Sequence, residues 1–228
     1  MLVGWQREIE QTPWGGFLLG NVWPAYVFAL PLGVRAFNFA RSSPGETLHQ
    51  QAQYIQELVT IAFLALVVVL FAVRKRDIAG QRATFLPATV ALAGTFVLNV
   101  VAFLPIEEVT STAALLASSV VIVAGTLFTI WSLATLGRCF GLFPEVRGLV
   151  LRGPYRLVRH PVYLGELISG FGLVLVKPHP AIVGLLAAFV GLQYLRTVYE
   201  ERALLGTFPD EYARYRRTVP RLIPGARP

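Results

Sequence analysis

The sequence predicts an all-α protein, a polytopic transmembrane helical bundle of about five to six spans. Three observations lead there. The 228 residues are 55% hydrophobic and only 14% charged, with a mean hydropathy of +0.59, too few charges to cover a soluble globule of this size. Apolar runs long enough to cross roughly 30 Å of hydrocarbon, about 20 residues each, recur along the chain. The basic residues gather beside those runs and not along one exposed face.

The runs place spans at 14–33, 54–73, 85–104 and 113–136, followed by a shorter pair at 161–176 and 180–199. The first eleven residues hold Arg7, Glu8 and Glu10 and lack the basic start and small-residue cleavage site of a secretory leader, so no cleaved leader is expected. Four Lys or Arg fall between 74 and 82, five between 137 and 161, six after 199 and none between 105 and 112. The positive-inside tendency then sets the first three segments in the cytoplasm and the last outside. Six spans put both termini in the cytoplasm, with Arg35 and Arg41 in an outer loop.

Charge and cysteine content exclude other classes. A net charge of +7 and pI near 10.0 would suit a nucleic-acid partner only if the basic residues lay on a soluble face, so no nucleic acid is expected. Cys139 is the single cysteine and cannot form an internal disulfide. His49, His160 and His179 are scattered without ligand spacing, so no metal site is expected. Neither a GxGxxG after a strand nor a phosphate loop occurs. No residue pattern sets an oligomeric state.

Two parts follow: anchor spans over 1–136 and a chemistry-bearing core over 137–228. Polar content in the anchor is thin. Asn99 lies inside the third run, where its amide is expected to bond to a neighbouring helix. Glu107 and Glu108 read as the cap of a short external loop, and His179, between two prolines, as part of the turn between the last two spans.

The core opens with a 25-residue loop from Gly137 to Pro161, rich in Gly, Pro and Arg and longer than most connections. Leu142, Phe143, Val146, Leu149, Val150, Leu151, Leu157 and Val158 give it apolar surface to pack at the membrane interface. It runs into GPYRLVRHPVYLGE, residues 153–166. His160 before Pro161 is biased toward an extended backbone, and Pro161 suits the first turn of a helix. The N–H groups of Val162, Tyr163 and Leu164 would be free there to meet a carboxylate or phosphate. Arg152, Arg156 and Arg159 add positive field, which could equally hold anionic lipid headgroups.

In the last span Gln193, Arg196 and Glu200 stand at i, i+3 and i+7 and share one helix face. Arg196 and Glu200, one turn apart, could pair as a structural bridge. Ionisable groups inside a membrane segment usually face a cavity or the bundle interior, however. With the basic loop returning to the same side, a shared pocket is expected, and Glu166 could face it too. The tail RALLGTFPDEYARYRRTVPRLIP carries Leu204, Leu205, Phe208, Tyr212 and Tyr215 on an apolar side and can lie in the interface plane, closing the pocket or merely anchoring the surface.

The run GLVLRGPYRLVRHPVYLGE, followed about 35 residues further on by Arg-x-x-x-Glu-Glu and then LLGTFPDEYARYRRTVP, resembles the integral-membrane methyltransferases typified by isoprenylcysteine carboxyl methyltransferase. Phospholipid N-methyltransferases are similar at a greater distance. The likeness covers about residues 137–224, where loop motif, helix-end motif and tail agree in order and spacing. It implies S-adenosylmethionine as cofactor, in a cytoplasmic pocket formed by the C-terminal half. Carried over by position, the cofactor would contact Arg147, Gly148, Leu149 and Val150, then Tyr155, then His160, Pro161, Val162 and Tyr163, and finally Glu200; the residues themselves add Arg159 to that set. Arg196 falls where the family places an arginine facing the substrate. This chain departs at Phe140, where eukaryotic members commonly have glutamine, and at Arg147 and Gly148, where they have a His-Asn pair.

The cofactor carries a carboxylate, an ammonium and a sulfonium, so its site needs an anion cradle, a carboxylate and aromatic faces. The helix start with Arg159 or His160 suits the first, Glu200 the second, and Tyr155 and Tyr163 the third. The expected acceptor is a lipidic or prenylated small molecule reached from among the membrane lipids, favouring a carboxylate of prenylcysteine type that Arg196 would orient. An amine acceptor would need a base, for which Glu200 or Glu201 would serve. A transporter with Arg196 and Glu200 on a solute path stays open, although no paired halves with broken helices appear. So does a lipid-binding scaffold.

Overall fold

The computed structural model describes residues 22–75, 77–78, 85–109 and 111–226, and among them no strand occurs. The described residues form seven α-helices, in chain order α1 (Trp23–Ala40), α2 (Leu48–Val73), α3 (Phe85–Phe96), α4 (Thr112–Leu136), α5 (Pro161–Val176), α6 (Pro180–Thr207) and α7 (Pro209–Thr218). Among the described residues four segments are long and apolar enough to cross a membrane: α2, α3 with its 3-10 extension to Phe103, α4 with its extension to Cys139, and α6. The 16-residue α5 is apolar but shorter. The chain is thus a helical membrane bundle.

Local chemistry explains the helix ends. Thr47 and Gln50 form a capping box that starts α2 six residues ahead of the expected 54. His179 caps α6 by accepting the Ala181 N–H on Nδ1 at 3.2 Å, with Pro180 behind it. Gly137, at φ 54, ends α4 in a conformation that a side chain would resist. The expected first span is corrected. Residues 14–21 lie outside the described residues, and α1 runs past 33 to Ala40, so Arg35 sits within a helix and pairs with Glu57 of α2 at 2.6 Å. Asn99 is corrected too. It lies on the 3-10 turn Val97–Phe103, exposed, and its side chain takes no partner among the described residues.

Around the bundle α1 packs on α2, α2 on α4, α4 on α5, α5 on α6 and α6 on α3, the α4–α5 interface being the most extensive. Small residues make that interface close. A Cβ on Gly165 would overlap Thr129 Oγ1 and stand 2.8 Å from Gly125 O, and one on Gly125 would stand 2.6 Å from Ser169 N. Polar side chains tie the same crossing, with Ser118 donating to Gly172 O at 2.8 Å and Ser169 to Ile122 O at 3.2 Å. In lipid such approach and hydrogen bonding, not apolar burial, drive helix pairing. Gly165→Val is therefore expected to lower the apparent melting temperature in detergent by roughly 2–12 °C, the shift that about 1–3 kcal/mol of overpacking produces in a chain of this size. Gly184→Ala, which meets nothing within 4 Å, should leave it within a degree or so of the parent. Equal melting of the two variants would contradict this account of the α4–α5 crossing.

The long loop is folded down, not free. Leu142 joins Val67, Leu70 and Phe71 of α2 and Leu133 of α4 in one buried cluster, with Phe140 and Phe143 packed against it. Backbone and side-chain bonds fix the register: Lys75 N to Arg138 O at 2.8 Å, Ile78 N to Val146 O at 2.8 Å and Val146 N to Asp77 Oδ1 at 2.9 Å. The loop after α2 thereby holds the stretch 138–147 over the end of the bundle.

Candidate active site

Beneath that loop lies a cavity of about 170 Å³. Arg147, Gly148, Leu149, Val150, Tyr155, Arg159, His160, Pro161, Val162, Tyr163, Arg196 and Glu200, all singled out in the sequence, line it together, and Glu166 joins them. Glu201 does not. The lining also reaches outside the C-terminal half, to Phe28, Phe63, Val67 and Thr95 of α1, α2 and α3.

The start of α5 enters this cavity open. The His160 side chain makes no cap, and Leu164 N bonds back to His160 O at 3.1 Å. Pro161 has no N–H, which leaves those of Val162 and Tyr163 without a backbone partner among the described residues. Ahead of it, Arg159 N and His160 N bond to Pro220 O and Arg221 O at 2.8 and 3.1 Å, tying the tail beneath the loop.

Glu200 and Glu201 are neighbours in sequence with different surroundings. The Glu201 carboxylate is 3% exposed as a residue and meets Arg159 Nε at 3.2 Å, His160 Nε2 at 3.2 Å and both Arg221 Nε and Nη2 at 3.0 and 2.9 Å. It is a clamp joining loop, helix start and tail. Glu200 turns into the cavity, where Oε1 accepts from the Tyr163 hydroxyl and Oε2 stands 3.6 Å from His160 Nδ1. Burial alone would push the His160 imidazole down, but hydrogen bonding to Glu200 and Glu201, and their charge, outweigh it and raise it above the ordinary value.

Tyr163 is the centre of a stack. Its ring lies parallel to His160 with centroids 5.7 Å apart, and the Arg196 guanidinium sits 4.6 Å from its centroid. The sequence left open a bridge between Arg196 and Glu200; the structure pairs Arg196 otherwise. Nη1 donates to Gln193 Oε1 at 3.2 Å and Thr95 Oγ1 at 3.4 Å, and Nη2 to Leu142 O at 3.3 Å. Arg196 Nε is buried and has no hydrogen-bond partner. Two of five hydrogens, one on Nε and one on Nη2, thus remain for a ligand.

Arg147 supplies a second cation. It is 5% exposed, its Nε donates to Lys75 O at 3.0 Å, its Nη2 pairs with Glu145, and its Nη1 is buried without a partner. Burial and this neighbouring charge push the Arg74 guanidinium down to about 10. Arg152 and Arg156, by contrast, are exposed and take no part in the lining.

The tail helix faces inward. Tyr212 and Tyr215 of α7 are buried and line the cavity, and Tyr215 Oη donates to Tyr155 O at 2.6 Å while Arg159 Nη1 donates to Arg216 O at 3.0 Å. Burial, with the charges of Glu200 and its neighbours, pushes the Tyr155 phenol well up, so it presents a neutral aromatic face. Leu204 and Leu205 continue α6 instead of joining a separate surface helix. Among the described residues no group of three His, Cys, Asp or Glu could hold a metal ion.

A helical membrane bundle with a loop- and tail-covered cavity, largely apolar but holding several charged side chains, is the class this geometry defines. Comparison with known proteins shows what this part of the chain is similar to. Residues 113–211 match the phospholipid methyltransferase family model. The chain is 39% identical over 100 residues to the cobalt-zinc-cadmium resistance protein CzcN of Cupriavidus metallidurans, covering 41% of this chain and 45% of that one. It is 31% identical over 111 residues to protein-S-isoprenylcysteine O-methyltransferase A of Arabidopsis thaliana, covering 46% and 56%. With methanethiol S-methyltransferase 1 of Bradyrhizobium diazoefficiens it shares 38% over 76 residues, covering 32% and 25%. The chain therefore spans from a quarter to somewhat over half the length of these relatives. Over residues 113–211 the chain is thus similar to the phospholipid methyltransferase family, and its relatives include an isoprenylcysteine O-methyltransferase and a methanethiol S-methyltransferase.

Proposed function

We propose that the chain is an integral-membrane methyltransferase that uses S-adenosylmethionine and acts on a lipid-soluble acceptor carrying a carboxylate, of prenylcysteine type. The observation that carries this reading is that one cavity joins the open start of α5, the Glu200 carboxylate and the unpaired edge of Arg196. The arginine clusters beside it favour a cytoplasmic site.

The residues present fit the cofactor. Arg147 Nη1, buried and unpartnered, and the free N–H groups of Val162 and Tyr163 suit its carboxylate. Arg159 and His160, held by Glu201, are less available for that than the sequence implied. Glu200 suits its ammonium or ribose hydroxyls, and Tyr155 and Tyr163 offer faces to a sulfonium. When bound, the group supplies an electrophilic methyl for in-line displacement.

The chain's own part is alignment and exclusion of water. Arg196 would grip an acceptor carboxylate through Nε and Nη2 and hold it over Tyr163. The loop 137–160 and α7 cover the cavity. Glu200 and Glu201 are both committed, one to Tyr163 and His160 and the other to Arg159, His160 and Arg221. Neither is free to take a proton, which favours an acceptor that arrives ionised. Incubating the purified protein in lipid nanodiscs with methyl-labelled cofactor and farnesylcysteine should give the labelled methyl ester by mass spectrometry. Absence of labelled product there and from a total lipid extract would refute the reading.

A further inference from the structure

The proposed function seats the carboxylate, ammonium and sulfonium of the donor but leaves its purine without a place. One sector of the lining suits an uncharged ring. Ala203 and Leu204 follow Glu200 by three and four residues, so α6 presents them one turn further along the face that carries Glu200 into the cavity. Backbone bonds from Phe208 N to Leu204 O at 2.7 Å and from Tyr212 N to Phe208 O at 2.9 Å carry α6 into α7. There Tyr212 and Tyr215, three residues apart and both buried, complete the sector. None of these four side chains is charged.

The two tyrosines differ in one respect. Tyr215 Oη donates to Tyr155 O at 2.6 Å, whereas Tyr212 Oη is buried and takes no hydrogen bond from the described residues. A buried hydroxyl almost always has a partner, and one without it weakens the fold. Phenylalanine would fill the same space without that cost, so packing is an insufficient reason for the hydroxyl at a residue only 1% exposed. The unpartnered nitrogens of Arg147 and Arg196 in the same lining are cationic and suit carboxylates. Tyr212 is a different kind of group. Burial, and then the charge of Glu201, push its phenol well above the ordinary value, so the hydroxyl stays protonated and can both donate and accept.

Resting on the methyltransferase reading, we propose that Tyr212 is a donor-binding residue whose hydroxyl bonds to the purine edge of S-adenosylmethionine, in the uncharged sector that Ala203, Leu204 and Tyr215 complete. A purine edge carries ring nitrogens that accept and an exocyclic amine that donates, and a hydroxyl meets either. The ring is neutral. It adds no charge to a lining that already holds Arg147, Arg196, Glu166 and Glu200, and an apolar surround with one well-placed polar group is what orients such a ligand. The tail helix is then part of the binding site and not only its cover.

The test titrates the full chain in nanodiscs, wild type and Tyr212→Phe, with S-adenosylhomocysteine, the donor lacking its methyl group, and with its 1-deaza, 3-deaza, 7-deaza and N6,N6-dimethyl analogues. Tyr212→Phe should bind the parent compound about 3- to 10-fold more weakly, the usual worth of one neutral hydrogen bond. In wild type one of the base-altered analogues should show the same loss, and in Tyr212→Phe that analogue and the parent compound should bind within about twofold of each other. The ligand-free variant should melt at or above the wild-type temperature, because the fold loses no bond. Equal affinity of both proteins for the parent compound, or a lower melting temperature of the ligand-free variant, would overturn the assignment of Tyr212 and leave the methyltransferase intact. So would equal binding of parent and analogues to wild type, a result that needs no variant. No binding of any of these compounds to wild type would instead remove the methyltransferase reading, and this assignment with it.

Discussion

Arg196→Ala is expected to lower methyl transfer by two to three orders of magnitude, roughly what losing the positioning and charge stabilisation of one preorganised group costs, with donor affinity changed less than about threefold. Its hydrogens are divided between the protein and the cavity. Three go to Gln193, Thr95 and Leu142 O, fixing the guanidinium over Tyr163, and the Nε edge is left for the acceptor. Removing the side chain also removes partners from a buried network, so Arg196→Lys is the companion variant. It keeps the charge over the aromatic ring but has no planar fork, and it should fall by at least about tenfold in turnover with its melting temperature nearer the parent's. Measured by single-turnover transfer with saturating donor, loss of donor affinity in step with turnover would place Arg196 on the donor side and contradict its role.

Glu200→Gln is expected to act on the other substrate. The carboxylate stands between the Tyr163 hydroxyl and the His160 imidazole and faces the cavity. An amide of the same shape keeps a hydrogen bond to Tyr163 and loses the charge. Donor affinity should fall about 10- to 100-fold, the worth of a hydrogen bond between charged groups of about 1.5–3 kcal/mol. Glu201→Gln should differ, because that carboxylate faces away and binds Arg159, His160 and Arg221. Its loss loosens the tail.

That contrast shows where the sequence was legible. Gln193, Arg196 and Glu200 announce one face because helical periodicity projects them together. The start of α5 at Pro161 was readable from the His-Pro junction, and its end at Val176 from the turn beyond. Adjacent glutamates 200 and 201, about 100° apart on a helix, cannot be told apart without knowing which face meets the cavity. The anchoring of Val146 and Arg147 by Asp77 and Lys75 joins residues about 70 positions apart, and no local pattern encodes such pairing. Thr95, Phe28 and Phe63 read as ordinary span residues, so their place in the lining was invisible too. The tail's tyrosines had the right spacing for an apolar face, but spacing alone does not say whether that face meets lipid or protein. They meet the loop.

Calorimetric titration of S-adenosylmethionine into the purified full chain tests the central claim most directly. The account predicts saturable binding to wild type and the loss of affinity just given for Glu200→Gln, with Arg196→Lys binding close to wild type. No binding to wild type, or the same affinity in Glu200→Gln, would contradict it.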